Sequence, residues 1–335
     1  MIIVDYSGTF ISVLYSSRLM DMFETKNKEA PDINLVRHAV LNTLRTYKKQ
    51  FKNKAGAEMI IAADSARSWR KDYYQHYKGN RKKNRDVSPI EWNSVFDMMN
   101  QLLSEINQFT PFKTMKVPTT EADDIIAVLS DYHSKTYSEN AALSQDVRSH
   151  SLFDSPADSS EFHSNKTIIV SEDKDFHQLQ RFDGVEQFYP RKKKFFIDPD
   201  PRISLMEKII HGDAGDGVPN ILSDDDTFMV DGKRQKIINA NRLNTITPWA
   251  KRQIEYTDGL FDSSVSVPSG FDVVSGWCRN RMMIDLGFIP DEIQANILNE
   301  YHSQEHSEKG ADVMLDYLIE NKCKNLISDL QDFFN

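Results

Sequence analysis

Three short runs concentrate Ile, Val and Ala with polar residues only at their margins: "MIIVD" at 1–5, "AEMIIAAD" at 57–64 and "KTIIVSED" at 166–173. Runs this short without two-residue alternation predict central strands of a parallel sheet covered on both faces. Between them the period changes. In "NLVRHAVLNTLRTYKKQF" (34–51), "EWNSVFDMMNQLLSEINQF" (91–109) and "EADDIIAVLSDYH" (121–133), apolar residues recur at helical spacing. Strands alternating with helices predict an α/β fold, a parallel twisted sheet with helices on both faces. Past about residue 200 the strand signal fades, and "ISLMEKIIHG", "EIQANILNEYH" and "ADVMLDYLIENKCKNLISDL" predict a smaller, mainly helical region. The expected division is therefore 1–200 for the α/β domain and 201–335 for a helical C-terminal domain. The serine-rich stretch 134–165 has no sustained period and predicts a mobile surface insertion.

Composition narrows the classes. The chain has 335 residues, 39% of them hydrophobic, enough for a substantial core. No apolar run reaches eighteen residues, and the N-terminus lacks the basic region and cleavage site of a signal peptide, so a soluble protein with no membrane partner is expected. Cys278 and Cys323 have no CxxC partner, which fits a reducing cytoplasm and supports neither a disulfide framework nor a cysteine zinc site. Nothing suggests a coiled coil or dimer face, and a monomer is expected. A net charge of −9 argues against indiscriminate coating of nucleic acid, but the charge is unevenly placed.

Each predicted strand ends at an aspartate: Asp5, Asp64 and Asp173. In doubly wound sheets ligands bind beyond the carboxyl ends of the strands, where these three would arrive. "EADD" adds Glu121, Asp123 and Asp124 in a first helical turn, with Thr120 as the expected cap. "SEDKD" adds Asp175, and "GDAGDGVPN" adds Asp213 and Asp216, with glycines that let both bend back toward the sheet. Taken singly, each piece reads as a helix N-terminus or a glycine turn. Gathered at one end of one sheet, so many carboxylates would repel each other and need a cation. Carboxylates with retained waters suit Mg²⁺, or Mn²⁺ as an alternative, whereas the histidines show no zinc spacing. Two such ions roughly 3.5–4 Å apart serve in-line phosphodiester hydrolysis. No P-loop or dinucleotide fingerprint is present, so the phosphate belongs to a polymer.

Directly after Asp64, "SARSWRKDYYQHYKGNRKKNR" (65–85) reverses the sign of charge. Arg67, Arg70, Lys71, Lys78, Arg81, Lys82, Lys83 and Arg85 interleave with Trp69, Tyr73, Tyr74 and Tyr77. A solvated helix face explains the charges alone. Cations tracking phosphates, with rings stacked on unpaired bases, explain the interleaving as well. A second cluster, "YPRKKKFFID" (189–198), reads as a hairpin tip.

The order of these motifs resembles the 5′-nuclease superfamily, which includes flap endonucleases and the 5′–3′ exonuclease domains of bacterial polymerases. Within it, the chain is similar to the ribonuclease H branch of T-even bacteriophages. "YYQHYKGNR" is similar to the stretch at the base of that family's helical arch, here about 65–100, and "IIHGDAGDGVPN" to its "GDxxDN" signature. The resemblance implies Mg²⁺-dependent 5′–3′ exonuclease, flap endonuclease and RNase H activity, removing RNA primers and 5′ flaps during lagging-strand replication. It implies that Asp5, Asp64, Glu121, Asp123 and Asp124 surround a first metal. Asp173, Asp175, Asp213 and Asp216 would surround a second. Lys78 would contact the scissile phosphate alongside catalytic Asp64 and Asp173, Tyr77 would stack on the 5′ nucleotide, and Arg70, Arg81, Lys82 and Lys83 would touch nucleic acid. Flap or forked DNA and RNA–DNA hybrid are the implied substrates, with a sliding clamp and single-strand-binding protein as candidate partners.

The chain departs from the family after Asp216. "VPNILSDDDTFMVDGKRQ" lacks the Gly-x-Gly hairpin that grips duplex DNA through K⁺, leaving Lys233, Arg234 and Lys236 as candidate phosphate contacts. The terminal "ISDLQDFFN" places Ile327, Leu330, Phe333 and Phe334 as in a clamp-binding peptide, with Ile where such peptides carry Gln; a last helix docking its apolar face is the other reading. Two further functions remain in play: a PIN-like ribonuclease, which would share the sheet and fewer acids, and a non-catalytic forked-DNA-binding protein, which would have lost some of them.

Overall fold

The computed structural model describes residues 1–24, 26, 32–149, 166–304 and 309–334, apart from the side chains of 82–84 and 137–149. Strand β1 (Ile2–Asp5) is buried along its apolar length and leads straight into α1 (Tyr6–Ser16), whose N-cap is Asp5. After α2 (Ile33–Ala55), Gly56 turns the chain at φ 81° into β2 (Met59–Ala62). Two short helices, α3 (Arg70–Tyr73) and α4 (Gly79–Asp86), precede α5 (Trp92–Phe109), β3 (Lys113–Met115) and α6 (Ala122–Ser149). Then come β4 (Thr167–Val170), a 3₁₀ segment (Lys174–Arg181), and the hairpin of β5 (Val185–Tyr189) and β6 (Lys194–Phe196). The rest is helical: α7 (Pro201–His211), α8 (Ala240–Glu255), α9 (Val274–Ile284), α10 (Asp291–Ser303), α11 (Ala311–Glu320), α12 (Lys324–Ile327) and α13 (Gln331–Phe334).

The sheet order is β3-β2-β1-β4-β5-β6. The first strand of the chain lies inside the sheet, parallel to β2 on one side and β4 on the other, and only β6 runs antiparallel. The α/β expectation holds, and "YPRKKKFFID" does contain a hairpin turn. One face of the sheet packs against α1, α2 and α5, the other against α6 and α10. A third core joins α7, α8 and α9 to Tyr74, Tyr77, Val218 and Ile221. Among the described residues no helix is long and apolar enough to cross a membrane.

Packing departs from the expected boundary at 200/201. Only α7 to α9 form a separate helical core, whereas residues of α10 join the core on α6 and Met314, Tyr317, Leu318, Leu326 and Phe333 join the core beneath α2 and α5. Of the two readings of the C-terminus, the packing bears out the last helix docking its apolar face through Ile327, Leu330, Phe333 and Phe334 rather than an exposed clamp-binding peptide. Phe333 is fully buried with its ring 5.9 Å from that of Phe112, and the other three pack against the same cluster. Arg45 and Lys49 fix the last helix through Asp332 at 2.7 and 2.9 Å. Burying an aromatic side chain of this size contributes about 1.5–3 kcal/mol, which exposure to a partner would forgo.

The insertion also departs from expectation. Helix α6 continues to Ser149, so 134–149 is helical backbone rather than irregular chain, and 150–165 lie outside the described residues. Glu139, Ala141, Ala142, Leu143 and Gln145 are strong helix formers, and they favour helix in a stretch whose sequence shows no sustained apolar period.

Candidate active site at the strand ends

Four carboxylates stand at the sheet's carboxyl edge. Asp5 accepts from the Gly8 amide at 3.0 Å and from Ser171 Oγ at 2.9 Å. Position 8 must be glycine for this cap, because a Cβ there would lie 2.5 Å from Asp5 Oδ2. Asp64 accepts from Ser7 Oγ and from the Ala122 amide, both at 2.9 Å. Asp64 and Asp124, rather than Thr120, therefore serve the start of α6; Asp124 Oδ2 accepts from the Glu121 amide at 2.9 Å, while the Thr120 hydroxyl donates to Val117 O. Asp173 caps the 3₁₀ segment through the Asp175 amide at 2.9 Å. Asp123 lies in the first turn of α6. Among the described residues none of these four is in an ion pair.

Burial and neighbouring charge act on Asp5 and Asp123. Burial, then the Asp64 and Asp173 charges, push Asp5 up to about 6 against the help of Gly8 and Ser171. Asp123 is raised well above the ordinary aspartate range, by burial first, with Asp173, Glu121 and Asp64 adding and Lys78 opposing.

Three other acids are balanced by the protein itself. Arg70, fully buried, reaches Asp124 at 2.8 Å and Glu121 at 3.1 Å, and donates through Nε to Met283 O at 3.2 Å. Trp69 Nε1 donates to Asp124 Oδ2 at 3.1 Å. Lys78 Nζ lies 2.5 Å from Glu121 and 3.7 Å from Asp216, and Arg81 pairs with Asp216. Tyr77 bridges the two acids, its hydroxyl 2.9 Å from Glu121 and 3.1 Å from Asp216. Burial alone would raise Glu121, but Lys78 and Arg70 outweigh it and hold the carboxyl below its usual range. Lys78 adopts the left-handed conformation at φ 55°, held by its amide donating to Asp216 O at 2.7 Å.

The remaining pair, Asp175 and Asp213, shares one cation. Lys208 contacts Asp175 and lies 2.9 Å from Asp213, which holds Asp213 low despite its burial. The "GDAGDG" loop is braced rather than hinged. Asp213 and Val218 exchange amide bonds at 2.7 and 2.8 Å, and Gly212, at φ 73°, would place a Cβ 2.4 Å from Val218 O. Asn80 Nδ2 donates to Ala214 O at 3.0 Å and the Tyr74 hydroxyl to Gly217 O at 3.0 Å, so the loop is tied to the basic segment.

Sequence reasoning gathered these residues but misjudged several roles. Arg70 is 2% exposed and committed to Asp124 and Glu121, so it does not face nucleic acid. Tyr77 is 3% exposed and its ring is part of a core; of the four aromatics in 69–77, only Tyr73, at 63%, presents a surface for stacking. The Lys82 and Lys83 side chains lie outside the described residues. Lys233 and Lys236 are paired with Asp224, and Lys233 also with Asp226, while Arg234 is exposed. Lys208 was missed. It sits inside "ISLMEKIIHG", where helical period hides a cation five residues before Asp213.

Among the described residues no three His, Cys, Asp or Glu side chains are grouped to hold one metal ion. The donor set nevertheless fits a hard divalent cation. Asp5, Asp64, Asp123 and Asp173 are oxygen donors left without a protein cation, and Mg²⁺ binds through one or two carboxylates while keeping several waters. A cavity of about 590 Å³ runs from Asp5 and Asp173 along α1 toward Tyr15 and Tyr47. A second, of about 480 Å³, opens beside Asp175 and Asp213.

Residues 1–155 match the family described as 5′-3′ exonuclease, N-terminal resolvase-like domain, and residues 199–333 match the one described as T4 RNase H, C terminal. The ribonuclease H of Enterobacteria phage T4 is 27% identical over 313 residues, covering 92% of this chain and 89% of that protein. A bacteriophage T5 protein co-crystallised with metal ions aligns at TM-score 0.53 and 17% identity, covering 98% of each chain. The T5 flap endonuclease in a pseudo-enzyme–product complex with DNA and metal ions aligns at TM-score 0.52 and 17% identity, again over 98% of each. At that identity the T5 structures speak for the fold.

Proposed function

Because the chain belongs to the 5′-nuclease superfamily, joining its 5′–3′ exonuclease N-terminal domain to the C-terminal region of the phage T4 ribonuclease H type, we propose that it is a Mg²⁺-dependent, structure-specific 5′-nuclease. Its substrates are 5′ flaps and RNA–DNA hybrids, and its role is to remove RNA primers and flaps during lagging-strand replication. The observation that carries the reading is the set of four unpaired carboxylates at the strand ends beside the paired cations Lys78 and Arg81.

Asp5, Asp64, Asp123 and Asp173 would hold the divalent cations, two in number, with Mn²⁺ as a substitute. When bound, such ions lower the pKa of the attacking water and stabilise the leaving oxygen. Lys78 presents its ammonium to the scissile phosphate, fixed by Glu121 and by its own backbone bond to Asp216. Arg81, half exposed, takes a neighbouring phosphate. Residues 1–200 carry cleavage, and the helical region after 201 contacts the duplex, with exposed Arg234 available to its backbone.

Cleavage of a labelled 5′-flap and of an RNA–DNA hybrid tests this. Wild type should cut both in Mg²⁺ and neither in EDTA, and Asp173→Asn should be inactive. Cleavage that persists in EDTA would reject the metal mechanism.

A further inference from the structure

Cations flank the 212–217 loop on both sides. On one side Asn80, Lys78 and Arg81 contact Ala214 and Asp216. On the other lies the 480 Å³ cavity, whose wall includes Lys174, Lys208 and His211 together with the carboxylates Asp175, Glu207 and Asp213. The cations on the first side are committed to protein carboxylates, as is Lys208. Lys174 and His211 are not. Both are exposed at the cavity's rim, and among the described residues neither has a hydrogen bond or ion pair. An ammonium left free beside a group of acids, where Lys78, Arg81 and Lys208 are paired, is available to an anion from outside.

We propose that this cavity is a phosphate subsite for the backbone of the bound nucleic acid, with Lys174 supplying the charge and His211 an imidazole hydrogen bond. This rests on the nuclease reading and deepens it. The strand would cross the carboxylate edge with Lys174 and His211 on the side of the loop away from the paired Lys78 and Arg81. Lys174 stands between Asp173 and Asp175 in the chain, so a phosphate held there is fixed relative to both acids. Such a contact positions substrate and carries no sequence information.

Salt dependence reads it directly, because each neutralised duplex phosphate contributes about −0.9 to the slope of log K against log[salt]. Fluorescence anisotropy with a labelled 5′-flap duplex in EDTA would compare wild type with Lys174→Met, Lys174→Arg, Lys174→Met/His211→Ala and the control Lys135→Met, whose ammonium pairs with Asp131. Lys174→Met should bind about 3–10-fold more weakly at low salt and flatten the slope by about 0.9. Lys174→Arg should restore the slope, the double variant should bind more weakly still, and Lys135→Met should match wild type. An unchanged slope in both Lys174→Met and the double variant would overturn the subsite, as would a loss of affinity that Lys135→Met shares. If wild type binds no flap at any salt, the nuclease reading beneath it fails instead.

Discussion

The four carboxylates at the strand ends and the three beneath residues 70–81 are neighbours in space, yet they differ in what balances them. Glu121, Asp124 and Asp216 face Arg70, Lys78 and Arg81, three charges against three. Asp5, Asp64, Asp123 and Asp173 face one another. Like charges held together without a counterion are costly, and the divalent cations of the proposed function would offset that cost. Paired acids serve a different purpose: they hold Lys78 and Arg81 at the edge of the unpaired group. Sequence put all of these acids into one constellation, and the fold divides it.

Breaking the division should affect catalysis most. Asp123→Asn and Asp173→Asn should lower the single-turnover cleavage rate by on the order of 10²–10³ or more. Glu121→Gln should act through Lys78 and cost less, a difference read by single-turnover assays at saturating Mg²⁺. Arg70→Met should chiefly affect stability: leaving Asp124 and Glu121 buried without their cation costs about 3–5 kcal/mol, measured by urea denaturation, with Arg70→Lys recovering part of it. Lys208→Met should have a smaller effect, about 1–2 kcal/mol in EDTA after allowing for partial exposure, and Mg²⁺ should recover more stability in this variant than in wild type.

The smallest effect has the opposite sign. Asp123 is raised in the folded chain, so folding binds its proton more tightly than the unfolded chain does, and wild-type stability falls as pH rises through the folded value. Asp123→Asn removes that penalty. In EDTA it should raise the melting temperature at pH 8, by about 2–4 °C per kcal/mol relieved, with the gain vanishing near pH 4 and below. A variant less stable than wild type at pH 8 would mean that Asp123 has a partner.

Much of the fold was legible because the interior strands are continuous apolar runs and the long helices have clear periods. The edge strand Lys113–Met115 was not, since it is too short to carry a period, whereas the hairpin leading to Lys194–Phe196 was legible from its charged tip. The return of the last helices to the sheet was hidden for another reason: an apolar helical stripe such as that of Ala311–Glu320 shows that a face is buried, not what buries it. The acids were visible at the site because their local contexts repeat, strand end or helix start. Their partners were invisible, because Arg81 meets Asp216 across 135 residues and Arg70 meets Glu121 across 51. Pairing at such distances is set by the sheet order, and it decided which acids remained free.

Asp123 and Asp124 are adjacent in the chain and fall on opposite sides of this division, so they provide its most direct test. Calorimetric titration of Mg²⁺ into wild type, Asp123→Asn and Asp124→Asn, each shown folded by circular dichroism, measures it. Binding should be lost or weakened at least tenfold in Asp123→Asn, a change of about 1.4 kcal/mol, and retained in Asp124→Asn. Equal loss in both, or loss in Asp124→Asn alone, would contradict the division of the acids into a cation-binding group and a paired one.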